Sequence, residues 1–134
     1  MDWLYLVGRV FFGLIFVGSG LGHLVQLPGT AQYADSKKVP AAKATVVVTG
    51  IMLLAGGLSV ILGLYMEVGI WLLIFFLLAA AFTMHDFWTE PDPTQKMVQQ
   101  AMFMKNLSMA GAALFLYYMI KTYGYGPLTL GQPM

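Results

Sequence analysis

A histidine, two acids and two aromatic residues arrive within eight positions, Thr83 to Glu90, where a long apolar run stops. The stretch reads T-M-H-D-F-W-T-E and carries His85, Asp86, Trp88 and Glu90. Side chains of these types hydrogen-bond, move protons, hold a polar headgroup or ligate a metal. Elsewhere the chemistry-bearing residues are few: His23, the pair Lys105-Asn106, and Arg9 with Glu67. A lysine costs about 2.5–3.5 kcal/mol at the centre of a membrane and less near its surface. Lys105 therefore calls for a compensating group, and Asp86 or Glu90 would serve. One reading is a cationic clamp for a carboxylate, a sulfur oxyanion or a quinone carbonyl, with Asn106 and the histidines as hydrogen-bonding partners. The plainer reading is a salt bridge that closes the rim of a helix bundle.

His23 and His85 invite a haem reading, because two histidines from two helices can ligate one iron. Both sit near the ends of apolar runs, and the chain has no other histidine. A single pair makes a poor zinc site, since zinc takes four ligands or three plus water. Asp86 would have to be the third, yet adjacent residues on a helix point about 100° apart. Hydrogen-bonded histidines fit better. No metal, haem or other cofactor is assigned, and a quinone is the one small redox molecule that suits the cluster. Arg9 and Glu67 read as an ion pair, since charges in or near a span usually face the bundle interior and pair. That pair would be structural, or else Arg9 reaches towards the headgroups. An anion or quinone site is the sharper alternative. No phosphate loop, dinucleotide fingerprint, Ser/His/Asp set or HExxH motif is present.

The elements that must position these residues are membrane helices. Of the 134 residues, 59% are hydrophobic and 10% charged. Soluble domains carry about 25% charged residues, so the apolar excess calls for a bilayer as solvent. The chain has no cysteine, which excludes disulfides, thiolate nucleophiles and Cys-ligated zinc or iron–sulfur clusters. The net charge of +1 and the lack of a basic block give no reason to expect a nucleic-acid partner. The start, M-D-W-L-Y, is acidic rather than basic. The apolar run to Leu27 also exceeds a signal-peptide core of about 7–15 residues, so it reads as a retained span.

The expected fold is all-α: an integral membrane four-helix bundle forming a single domain over 1–134. Its spans fall at about 3–27, 44–65, 68–88 and 102–123, with a loose or docked tail at 124–134. The third apolar run is near the short limit for a span, so the helix is expected to continue through Trp88 at the headgroup level. Leu27-Pro28-Gly29 is expected to end the first helix, before a polar loop to Lys43 in which nothing looks catalytic. Gly18 and Gly22 form a small-xxx-small pair suited to close helix approach, as do Ala55, Ser59 and Gly63.

Four spans bring His23, His85, Asp86, Lys105 and Asn106 to one membrane face, bordered by Trp88 and Glu90. Arg9 lies 14 positions before His23, or about 21 Å along a helix, and so belongs near the other face. The loop side carries Lys37, Lys38, Lys43, Lys96 and Lys105, against Arg9 and Lys121 on the side of the termini. The positive-inside rule then places the long loops in the cytoplasm and the termini outside.

The first span reads R-V-F-F-G-L-I-F-V-G-S-G-L-G-H-L and the second G-G-L-S-V-I-L-G-L. The third ends H-D-F-W and the fourth begins M-K-N-L-S-M-A-G-A-A-L. With these motifs the chain resembles the DoxX family of small four-helix membrane proteins. The resemblance implies a bacterial-type inner-membrane protein, with some members subunits of a thiosulfate:quinone oxidoreductase and others linked to membrane thiol and oxidative-stress systems. It makes His85, Trp88, Lys105 and Asn106 motif positions. Family members often carry a glutamate just before the paired glycines; here Met52-Leu53-Leu54-Ala55 precedes Gly56-Gly57.

The leading expectation is an accessory or structural subunit of a larger membrane complex of redox type, not catalytic alone, with the bilayer and other membrane subunits or its own copies as partners. The alternative is a quinone-linked oxidoreductase subunit that binds a quinone headgroup or sulfur oxyanion at the His/Lys/Asn cluster. A small transporter ranks last, because the second span offers only Thr49 and Ser59 between its ends.

Overall fold

A computed structural model describes residues 1–131, so the last three positions of the expected tail lie outside the described residues. The described chain is all-α, with five helices and one 3-10 turn. They are α1 (Asp2–Val25), α2 (Leu27–Ser36), α3 (Ala42–Leu62), α4 (Met66–Thr83), the turn Phe87–Thr89, and α5 (Pro93–Tyr123). Three stretches are long and apolar enough to cross a membrane: α1, α3 and Met66–Thr89, which contains α4. The protein is therefore an all-α integral membrane protein. The 31 residues of α5 would reach about 46 Å, and its first turns carry Gln95, Lys96, Gln99 and Gln100.

Local chemistry moves several boundaries from those expected. The first helix does end before Pro28, but Pro28 then sits in the first turn of α2. Proline suits that position, because its missing N–H would have no helical partner there. The expected loop after Gly29 thus holds a ten-residue helix. The continuation through Trp88 as α-helix does not occur. α4 stops at Thr83, capped at Met84 with its N–H on Ala80 O, and Asp86 turns the chain with ψ of 65° into the 3-10 turn. The fourth helix starts nine residues before the expected span at about 102. Pro93 opens it, and the Asp92 side chain accepts from Gln95 N at 3.0 Å as its cap.

α1 packs on α3, α3 on α4 and α4 on α5, while α2 lies across α3 and touches α1. The buried core is built from Phe16, Leu53, Val60, Ile70, Leu73, Leu77, Ala113 and Ile120, among others. Close approach of α1 and α3 rests on facing glycine pairs. A Cβ on Gly13 would meet Gly57 O at 2.9 Å, and one on Gly20 would meet Gly50 O at 2.7 Å. The expected pair Gly18 and Gly22 has open space instead, so α1 meets its neighbour through a different face. Gly56 and Gly57 divide their work between α4 and α1. Gly63, at φ 71°, caps α3 and lets the chain double back into α4.

Candidate functional site

A cavity of about 470 Å³ opens among α1, α2, α3, the end of α4 and α5. His23 enters it from α1, Tyr33 and Lys37 from α2, Thr49 from α3, His85 from just past α4, and Lys105 and Asn106 from α5. Thus four of the six expected cluster residues, His23, His85, Lys105 and Asn106, share one cavity. Phe16, Val46, Leu53, Phe76, Leu77 and Met109 supply apolar wall.

The two histidines are held alike. The Thr49 hydroxyl donates to Thr45 O at 2.8 Å, so it accepts from His23 Nδ1, 3.3 Å away. Gln99 Oε1 accepts from His85 Nδ1 at 2.9 Å. On this arrangement each ring carries its proton on Nδ1 when neutral and keeps Nε2 as an acceptor, and Val46 O of α3 is a second acceptor beside the His23 ring. Phe76 packs edge-on to the His23 ring at 5.9 Å and restrains it further.

Lys105 makes no ion pair among the described residues, and it is exposed. The expected compensation by Asp86 or Glu90 is taken elsewhere. Asp86 pairs with Lys37 at 2.7 Å and also accepts from Thr89 Oγ1 at 2.9 Å. Glu90 accepts from Asp92 N at 3.4 Å within its own turn. The reason is local: Asp86 lies at the start of the 3-10 turn, and its carboxylate reaches Lys37 at the end of α2. Asn106 is buried and donates to Leu77 O at 3.2 Å, which ties α5 to α4. Trp88 is half exposed and packs with Phe82, Phe87 and Phe103 outside the cavity.

The expected ion pair of Arg9 and Glu67 is not formed. Glu67 lies 3.4 Å from Lys121, near the end of α5. Arg9 is buried under the C-terminal segment, stacks on the Tyr5 ring at 4.9 Å and donates to Leu128 O. That segment crosses the terminal face: Tyr5 donates to Tyr125 O at 2.8 Å, and Met66 N donates to the Tyr125 hydroxyl at 2.9 Å. Leu130 N and Gly131 N then bond Leu62 O and Gly63 O. A carbonyl from the tail has taken the place assigned to Glu67.

Lys37, Tyr33, Thr49 and Gln99 were not singled out from sequence. Pro28 at a helix start, with Tyr33 and Lys37 one turn apart, was the signal that could have found the first two. Together the groups offer two imidazole acceptors, an ammonium donor and an apolar wall. Such a set can accept a hydroxyl proton, donate to a carbonyl or sulfur oxyanion, and shield the bound group from water. No group of three or more His, Cys, Asp or Glu able to hold a metal occurs among the described residues.

The family model described as DoxX matches residues 4–86. The K-N-L part of the resemblance, at Lys105-Asn106, lies beyond that range. The inner membrane protein YqjF of Escherichia coli (strain K12) is 30% identical over 111 residues, covering 83% of this chain and 79% of the relative. No solved structure matches.

Proposed function

The chain belongs to the DoxX family, and on that premise we propose that its cavity holds the compact, oxygen-bearing headgroup of a quinone or a sulfur oxyanion, within a subunit of a larger membrane assembly. In this reading α1, α3, α4 and α5 all cross a bacterial inner membrane, as the printed name of the relative supports. The loops at Lys37–Lys43 and Lys96 are cytoplasmic, by the lysine excess there. One observation carries the headgroup assignment: two histidines, one on α1 and one just past α4, each oriented through Nδ1, face one cavity with an unpaired lysine. A neutral imidazole Nε2 accepts from a quinol hydroxyl, and the Lys105 ammonium donates to a quinone or sulfur oxygen.

The test is binding of decylubiquinone and of thiosulfate to the purified protein in lipid nanodiscs. His23→Ala, His85→Ala and Lys105→Ala should each weaken the bound probe tenfold or more, equivalent to about 1.4 kcal/mol. Equal affinity in wild type and all three variants, or binding of neither probe, would remove the headgroup reading.

A structural role in a larger assembly has its own support. Gly8, Gly18 and Gly22 on α1 and Gly111 on α5 have open space where a Cβ would stand, and such faces let another membrane helix approach closely. Native mass determination in mild detergent should find the chain in a larger species. A lone monomer throughout would count against this role.

A further inference from the structure

The cavity is chemically different at its two ends. His23, His85 and Lys105 define the polar end near the loops. Ile15, eight residues before His23 on α1, also lines it, so the cavity runs about 12 Å along the helix axis. Over that length its wall is mainly apolar, Ser19 and Thr49 apart, with Phe16 and Leu53 buried behind it. A small soluble anion would need only the polar end and would leave the rest unfilled.

The way in is also asymmetric. The loop-side mouth lies under α2, which is tied down through Lys37 to Asp86 at 2.7 Å and through the Tyr33 hydroxyl to Met84 O at 3.4 Å. The flank is different. α1 rests on α3 and α5 on α4, while α1 and α5 do not pack extensively on one another. Ile15 and Ser19 on α1 and Lys105 on α5 line the cavity and are also exposed on the outside of the molecule. The cavity is roofed by α2 on the loop side, where Tyr33, Lys38 and Pro40 also line it and are exposed, and it is open along its side at the depth of the apolar spans.

Resting on the reading of the cavity as a headgroup site, we infer that its occupant is a lipid-soluble amphiphile that enters sideways from the bilayer, through the gap between α1 and α5. The compact oxygen-bearing head meets the histidines and Lys105, and the apolar chain trails along the Ile15 side towards the lipid. The volume of about 470 Å³ suits a head and the first part of a chain, within the about 300–1,000 Å³ of small-molecule sites. Lipid tails are as apolar as the wall, so the chain contributes delivery and local concentration, and the head contributes selectivity.

The lack of native cysteine makes the gap testable by bridging. The double variant Ser19→Cys, Met109→Cys in nanodiscs is joined across the gap with a cleavable bifunctional thiol reagent, and decylubiquinone binding is measured before bridging, after it and after cleavage. Ser19→Trp, a plug at an already exposed position, is the second variant. Bridging is expected to weaken decylubiquinone binding at least tenfold, with recovery on cleavage, and the plug to weaken it in the same direction. If bridged and plugged proteins bind as wild type while His23→Ala does not, the lateral route is wrong and the headgroup site stands. If thiosulfate binds and decylubiquinone does not, the occupant is a soluble anion and the inference fails. If His23→Ala binds as wild type, the headgroup reading falls, and with it the ground for this inference.

Discussion

Lys37 and Asp86 hold α2 over the cavity at the cost of two partly exposed charges, with side chains 19% and 22% exposed. The second carboxylate oxygen of Asp86 is occupied by Thr89, so the pair has a fixed geometry. The Asp86 hydrogen bond holds the Lys37 ammonium above its ordinary pKa, against the opposing effect of partial burial. A lysine whose pKa is higher folded than unfolded contributes stability below the unfolded value and loses it as pH rises through the folded one. The latch is therefore intact across the neutral range, and it weakens in strong alkali as Lys37 loses its proton and in acid as the Asp86 carboxylate takes one up. Its worth is that of a partly exposed pair, about 0.5–1 kcal/mol. Lys37→Met should speed amide exchange in α2 by roughly two- to fivefold, and Asp86→Asn should act alike. The double variant should add nothing to either single one, since both remove the same contact. Additive effects in exchange mass spectrometry would show that the two residues act separately. Lys37 was illegible as a site residue because its loop reads as merely polar. Only the ten-residue α2 brings it back over the bundle.

At the scale of elements, helix approach is decided by which glycines face a neighbour, and sequence spacing alone does not tell that. The i, i+4 pair Gly18 and Gly22 looks like the packing face, yet Gly13 and Gly20 occupy it, seven residues apart. Seven residues is about two helical turns, so both glycines return to the same stripe against Gly57 and Gly50 of α3. Gly20→Val would put a branched side chain against Gly50 O, which a Cβ already meets at 2.7 Å. Overpacking of that kind costs about 1–3 kcal/mol. Gly18→Val meets nothing in the described fold and should leave thermal unfolding in detergent nearly unchanged. Equal melting of the two variants would mean that α1 and α3 are not held at this distance. Two helix ends carry chemical marks, Pro93 after Asp92 at the start of α5 and Gly63 at the end of α3, although the expected spans began at about 102 and ended at about 65. The end of α4 has no such mark. His85-Asp86 ends the apolar run but brings no proline or glycine, and the helix stops at Thr83, before Asp86 turns the backbone.

At the scale of the whole molecule, the order of apolar runs was enough to bring His23, His85, Lys105 and Asn106 together, because alternate helix direction fixes which ends share a face. It was not enough to pair the charges. Both errors, Arg9 with Glu67 and Lys105 with Asp86, joined residues of similar depth without regard to the side of the helix they occupy. The terminal face shows the consequence: Lys121 of α5 reaches Glu67, and the C-terminal segment covers Arg9. The same alternation makes a claim about sidedness that charge pairing does not affect. If α5 crosses the bilayer with α1, α3 and α4, Ser36 at the end of α2 and Tyr123 at the end of α5 lie on opposite sides. With no native cysteine, Ser36→Cys and Tyr123→Cys each provide a single exposed thiol. If the lysine-rich loops face inward, as the positive-inside rule expects, a membrane-impermeant maleimide added to right-side-out bacterial vesicles should label Tyr123→Cys and spare Ser36→Cys until the vesicles are opened. Reversed labelling would keep the spans and invert the protein. Labelling of both thiols from one side would show that α5 does not cross, and His85 and Lys105 would then have to meet by a route other than alternating spans.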